Sequence, residues 1–207
     1  MLQRRIIVST RRDPSLDFDF QKADAKDLGR IVDIGLDEFL KAEPHSVALG
    51  LNRQNMARVL EWIIAKSLHY GHSVAIVDKS TGKMAGFRLM SYSTRHESSD
   101  YSPFDLDVTK DLKHEIWTLR PEANKVLRRE ITFVAPRHQR KGIAQHLLHL
   151  YLDFDKLRES GVDGIQSEAT SFANQSLLEK NGYTKLLETE SCYVNTHIVE
   201  MKQLRVM

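Results

Sequence analysis

Residues able to do chemistry concentrate between Arg129 and Leu148, R-E-I-T-F-V-A-P-R-H-Q-R-K-G-I-A-Q-H-L-L. Ile131, Phe133 and Val134 favour an extended chain, and Pro136 ends the ladder because it has no N–H to donate. Gly142 permits close backbone approach at a turn, after which Ile143, Leu147, Leu148, Tyr151 and Phe154 follow helical spacing. A strand, a turn and a helix in this order present a row of free backbone N–H groups, which is an anion site. Arg137, Arg140 and Lys141 add positive charge around it. The spacings G-x-x-x-x-G-K-[ST] and G-x-G-x-x-G are both missing, so neither a triphosphate loop nor a dinucleotide fingerprint is present. No metal site is expected. His69 with His72 and His146 with His149 are i,i+3 pairs, but no further ligand follows at a recognised spacing. His146 and His149 are assigned to the polar side of their helix.

The elements that must position this stretch run along the whole chain. Leu16, Phe18 and Phe20 alternate with polar residues as a half-buried strand. Asp24 or Asp27 then caps a helix carrying Leu28, Ile31, Val32, Leu36, Phe39 and Leu40, which is expected to stop at Pro44. A second amphipathic helix is predicted from about Gln54 to His69. Ser73–Val77 and Met84–Tyr92 read as a hairpin around Gly82. A long segment with mixed pattern, including Trp117, separates this hairpin from the strand Arg128–Ala135. The helix after Gly142 is predicted to reach about Ser160, followed by a strand at Gly164–Ala169, a helix at Phe172–Lys180 closed by Asn181-Gly182, and strands at Thr184–Thr189 and Cys192–Leu204.

A length of 207 residues suits one domain, read as residues 16–207 with an insertion near 94–126 and an N-terminal extension at 1–15. The chain is 41% hydrophobic and 28% charged with a net charge of +2, a globular composition that does not suggest a nucleic-acid partner. Cys192 is the sole cysteine, so no intramolecular disulfide forms and a reducing cytoplasm is the expected location. There is no apolar run long enough for a membrane span, and Ile6-Ile7-Val8 is too short for a secretory core.

The string Gln139-Arg140-Lys141-Gly142-Ile143-Ala144 resembles the [QR]-x-x-G-x-[GA] signature of the GNAT family of acyl-CoA-dependent N-acyltransferases. It also stands where that family places it, after a strand ending in V-x-P and before an amphipathic helix. The element order β-α-α-β-β-insert-β-α-β-α-β-β is similar to the family's from about Leu16 onward. The resemblance implies an α/β (α+β) GNAT fold, a mixed and mainly antiparallel sheet splayed between its fourth and fifth strands. It further implies acetyl-CoA as co-substrate, a small-molecule amine as acceptor, and a monomer or homodimer.

By the same resemblance, the coenzyme's diphosphate rests on Gln139, Arg140, Lys141, Gly142, Ile143 and Ala144. Its pantetheine arm pairs with the edge of Phe133, Val134 and Ala135, and a backbone N–H near Val134 or Ala135 polarises the thioester. Two carboxylates compete as base. Ala42-Glu43-Pro44-His45-Ser46 is similar to the D/E-E-P-x region of the insect arylalkylamine N-acetyltransferase branch, in which the Glu before Pro is the base, although Ala42 replaces an acidic residue there. Glu130 is the rival, on the central strand beside Arg128 and Arg129. Many relatives carry an acidic Tyr four residues before a C-terminal G-[FY] pair; here the pair is Gly182-Tyr183 and the position is Leu178. Thr170 and Asn174 match the hydroxyl positions of the arylalkylamine branch, and Asn174 is suited to bond the pantetheine arm rather than to donate a proton. The missing Tyr keeps open a domain that binds acyl-CoA without turnover, and acetylation of protein or peptide amines is a further alternative. Tyr101, Phe104 and Trp117 are candidates to line an amine pocket.

Overall fold

A computed structural model describes residues 12–96, 116–190 and 195–201. Seven strands form one sheet in the order β1-β2-β3-β4-β5-β7-β6: β1 Phe18–Lys22, β2 Val74–Asp78, β3 Met84–Thr94, β4 Lys125–Val134, β5 Gly164–Ala169, β6 Tyr183–Glu190 and β7 Asn195–Met201. All neighbours are antiparallel except β4 and β5. On one face lie α1 (Leu28–Ile34), a π-helical turn (Gly35–Phe39), α2 (Leu40–Ala42), α3 (Pro44–Ala48) and α4 (Arg53–His69). Their apolar residues, Ile31, Leu60 and Ile64 among them, bury Phe87, Leu89 and Phe133 of the sheet. The opposite face carries α5 (Ile143–Leu147), α6 (Phe154–Glu159) and α7 (Phe172–Lys180). There Ile143 and Leu147 pack on Phe18, Phe20 and Ile76, while Leu148, Leu157 and Leu178 pack on Leu127 and Ile165.

The predicted element order holds, with one addition and one correction. The first helical run ends at Ala42, before Pro44 as expected, but Pro44 also starts a further short helix, with Glu43 as its N-cap and Pro44 in the first turn, where a missing N–H costs nothing. The helix after Gly142 does not run to Ser160; it stops at Leu147, and Tyr151 takes a positive φ of 59° before α6 begins. The cause is two arginines from the sheet. Arg88 donates to the carbonyls of Leu147, Leu150 and His72, and Arg129 donates to that of Leu148. With these carbonyls occupied, the chain turns away despite its helical spacing. Neither histidine lies on a solvated polar side: His146, within α5, is tilted against Phe20 at 4.5 Å, and half-buried His149, in the turn, meets Phe154 edge-on at 5.3 Å. His72 shares a hydrogen bond of 2.7 Å with Tyr92, and His69 packs on Tyr70.

The insertion returns to the sheet under the control of Arg95. Its guanidinium donates to the carbonyls of Trp117, Arg120, Pro121 and Ala123 and lies 5.4 Å from the Trp117 ring. Trp117 is thereby a packing residue at the insertion's end. Tyr101, Phe104 and Cys192 lie outside the described residues. Among the described residues, no helix is long and apolar enough to cross a membrane.

Close approach of β3 to β4 depends on Gly86, where an added Cβ meets the Phe133 carbonyl oxygen at 2.3 Å and Val134 Cα at 3.1 Å. Gly86→Ala is expected to destabilise the protein by about 1–3 kcal/mol, read as a lowered denaturation midpoint, because backbone has to move; an unchanged midpoint would show that the strands have room. Burial holds His72, His138 and His149 below the usual histidine pKa of 6.5, with nearby arginines and lysines acting in the same direction. The unfolded chain therefore binds protons below 6.5 that the folded chain refuses. Stability is full above 6.5 and falls progressively on acidification towards the folded values. Thermal melts between about pH 7.5 and 5.5 should show a declining midpoint, and a flat profile contradicts this burial.

Candidate active site

The parallel ladder between β4 and β5 runs only from Val126↔Gly164 to Arg129↔Ser167. β4 continues to Val134 against β3, and β5 continues to Ala169 against β7, so the two strands diverge into a fork. Ala135 N–H donates to Ala85 on the β3 side at 2.9 Å. Alternation along an antiparallel ladder turns the N–H groups of Thr132 and Val134 the other way, into the fork. Of the two predicted thioester donors, Val134 faces the fork and Ala135 does not: the Ala135 carbonyl is also used, accepting from His138 N–H. The Phe133 side chain enters the helix-covered core against Phe39, 5.7 Å away, and the Gln139 side chain donates to the Val134 carbonyl at 3.1 Å.

The basic loop follows directly. A 3-10 turn, Pro136–His138, leads to Arg140 with φ 63° and Gly142 with φ 83°, and Ile143 then opens α5. No side chain caps the first turn of α5, and nothing lies within 4 Å of where a Gly142 Cβ would be. Gly142 is required by its left-handed backbone rather than by crowding. Among the described residues, no backbone acceptor takes the N–H groups from Arg140 to Ala144. Lys141 sits over the Phe18 ring at 5.4 Å and Arg140 is exposed. Arg137 is engaged elsewhere, with Glu38 and the Met84 carbonyl.

At the fork's apex is a charged cluster that only the three-dimensional register brings together. β4 carries a bulge, because Leu89 faces Ile131 while Met90 faces Arg129, leaving Glu130 as the extra residue. The Glu130 carboxylate accepts from Ser91 Oγ at 2.5 Å, with Lys66 Nζ of α4 at 3.6 Å and Arg128 Nε at 3.4 Å. Arg128 also pairs with Glu168, the first β5 residue past the ladder's end. Burial opposes the charge, but Glu168 and Glu130 hold the Arg128 guanidinium above its ordinary pKa. Arg129 points to the other face and takes no part. The sequence reading named Glu130 and its neighbour Arg128 but missed Ser91, Lys66 and Glu168. Parallel pairing of β5 with β4 and the bulge were needed to find them.

The other candidates lie at the start of α3 and around the start of α7. Glu43 lies one turn beyond Phe39 and caps α3, accepting from His45 N–H at 3.1 Å and Ser46 N–H at 2.6 Å. Thr170 follows β5, half-buried, and Ser171 caps α7 by accepting from Asn174 N–H. Leu178 is wholly buried against Leu148 and Ile165, so the position at which relatives carry Tyr belongs to the core here.

No family model and no curated protein matches the sequence. Solved structures do match. Arylalkylamine N-acetyltransferase 2 of Aedes aegypti superposes with a TM-score of 0.70 at 15% identity, covering 89% of this chain and 98% of that one. The polyamine N-acetyltransferase of Drosophila melanogaster gives 0.71 at 11% identity, covering 90% and 100%. The C-terminal condensation domain of Ebony, in complex with β-alanyl-dopamine, gives 0.67 at 15%, covering 89% and 98%. This is the GNAT fold. In it, the splay expected between the fourth and fifth strands is the fork that ends at Arg129↔Ser167.

The apex cluster of this GNAT-fold chain makes a direct prediction. Arg128→Met leaves two carboxylates without their shared guanidinium and is expected to destabilise by about 3–5 kcal/mol. Adding Glu168→Gln should recover part of that loss, measured by chemical denaturation. Additive losses would show that the pair is not coupled.

Proposed function

We propose that this chain is an acetyl-CoA-dependent N-acetyltransferase that acetylates a small, arylalkylamine-like amine by direct attack in a ternary complex. The observation that carries the reading is the open β4 edge inside the fork, continuous with a basic loop whose N–H groups are uncapped. Strand edges of this kind take an extended ligand by main-chain pairing. Bound acetyl-CoA supplies an electrophilic thioester carbonyl and a thiol leaving group. Around it, the N–H groups of Arg140 to Ala144 hold the diphosphate, that of Gln139 being donated to the Pro136 carbonyl, and Arg140 and Lys141 add charge. Phe133 and Ala135 contribute by shaping the edge rather than by bonding, while Thr132 and Val134 present N–H groups to the arm and to the thioester oxygen. Preorganised donors at such an oxygen are worth about 3–4 kcal/mol of barrier.

Glu43 is the base in this reading. Both of its oxygens are fixed by backbone N–H groups, which orients the carboxylate while leaving lone pairs to accept a proton from the amine, directly or through water. Glu130 is committed to Ser91, Lys66 and Arg128, which suits it to hold the apex. With Leu178 in the core, the Thr170 hydroxyl or water returns the proton to the thiolate, and the Asn174 amide bonds the arm. The amine class follows the fold's neighbours, whose names include an arylalkylamine and a polyamine acetyltransferase.

Calorimetric titration with acetyl-CoA tests the first step, and absence of binding by the folded protein ends the reading. Thiol release over a panel of arylalkylamines, polyamines and peptides then separates turnover from mere binding. Glu43→Gln should lower turnover by about 10²–10⁴-fold with acetyl-CoA affinity nearly unchanged. Equal rates across pH would move the base to Glu130.

A further inference from the structure

Arg88 of β3 and Arg129 of β4 are 0% and 4% exposed, and among the described residues neither has a carboxylate partner. Their hydrogen bonds go instead to the carbonyls that close α5, at Leu147, Leu148 and Leu150, to the His72 carbonyl and to the Tyr183 hydroxyl. Burial and neighbouring Arg129 lower the Arg88 pKa to about 9, which leaves it charged at neutral pH. Two buried cations without acids are costly, and carbonyl dipoles compensate them only in part. They sit at one end of a five-residue helix whose other end is the Gly142 loop. From the Gly142 cap to the Leu148 cap, at 1.5 Å per residue, that separation is roughly 10 Å. Helix and core fill the space between, so the field is weakly screened by solvent.

We propose that the buried Arg88–Arg129 pair is a remote determinant of coenzyme binding: without touching the coenzyme, it fixes the end of α5 and supplies positive potential that favours the diphosphate at the Gln139–Ala144 loop. The inference rests on the acyl-CoA reading above. Both arginines are positioning residues, and their effect belongs to anionic ligands alone. At roughly 10 Å and an effective dielectric near 20, each charge changes the affinity for an anion by about tenfold.

The test compares binding of coenzyme A with that of acetyl-pantetheine, which lacks the phosphates, by titration calorimetry on Arg88→Met, Arg129→Met and Arg88→Lys, each checked for folding by circular dichroism. Each Met variant should bind coenzyme A about tenfold more weakly while its acetyl-pantetheine affinity stays within about twofold, and Arg88→Lys should keep most of the coenzyme A affinity. Unchanged coenzyme A affinity in a folded Met variant overturns the proposal, as does an equal loss for both ligands, which marks a purely structural clamp. Should the Met variants not fold, the unmodified protein decides. Its preference for coenzyme A over acetyl-pantetheine should survive about 0.5 M salt, because buried charge is poorly screened. Collapse of that preference would assign it to exposed Arg140 and Lys141. Failure of the unmodified protein to bind either ligand overturns the acyl-CoA reading itself, whereas binding without these differences overturns only the role of the arginines.

Discussion

The early end of the β4–β5 ladder at Arg129↔Ser167 is the constraint on which the rest of the molecule depends. Two parallel strands that stay paired bury their edges and leave nothing for a ligand. Here Arg128 stands at the last paired rungs, and its guanidinium reaches Glu130 on one arm and Glu168 on the other. A buried cation between two carboxylates joins the strands through side chains where main-chain bonds stop. Above that point the β4 edge turns its N–H groups away from β3, and the helix-bearing face packs against it through Phe39, Phe87 and Phe133.

The loop beyond β4 is organised from behind as well as from in front. Gly142 supplies the left-handed turn, and Arg88 and Arg129 fix where α5 ends. The helix is therefore a short strut between the basic loop and a buried charged pair. Glu38 pairs with Arg137 and offsets its charge, which leaves Arg140 and Lys141 as the exposed basic side chains there without an acidic partner among the described residues.

Periodicity and turn chemistry made the succession of elements, the basic loop after β4 and the glycine at its corner legible, because each is a local property of neighbouring residues. The end of α5 was not legible: Leu147, Leu148, Tyr151 and Phe154 keep helical spacing, and what overrides it comes from arginines 59 and 19 residues away in the chain. The apex cluster was hidden for the same reason, since Ser91 and Glu168 meet Arg128 and Glu130 only through the register of β3, β4 and β5 and a one-residue bulge. The helix at Pro44 is a different case. Its signal, a carboxylate followed by Pro, was visible, and a terminating reading of proline concealed a starting one.

A crystal structure with acetyl-CoA bound tests the central claim most directly. The account predicts the pantetheine amides paired with the β4 main chain between Thr132 and Val134, the diphosphate on the Arg140–Ala144 N–H groups, and the thioester near the apex held by Arg128. Coenzyme bound elsewhere on the molecule, with the β4 edge inside the fork left unpaired, would contradict it.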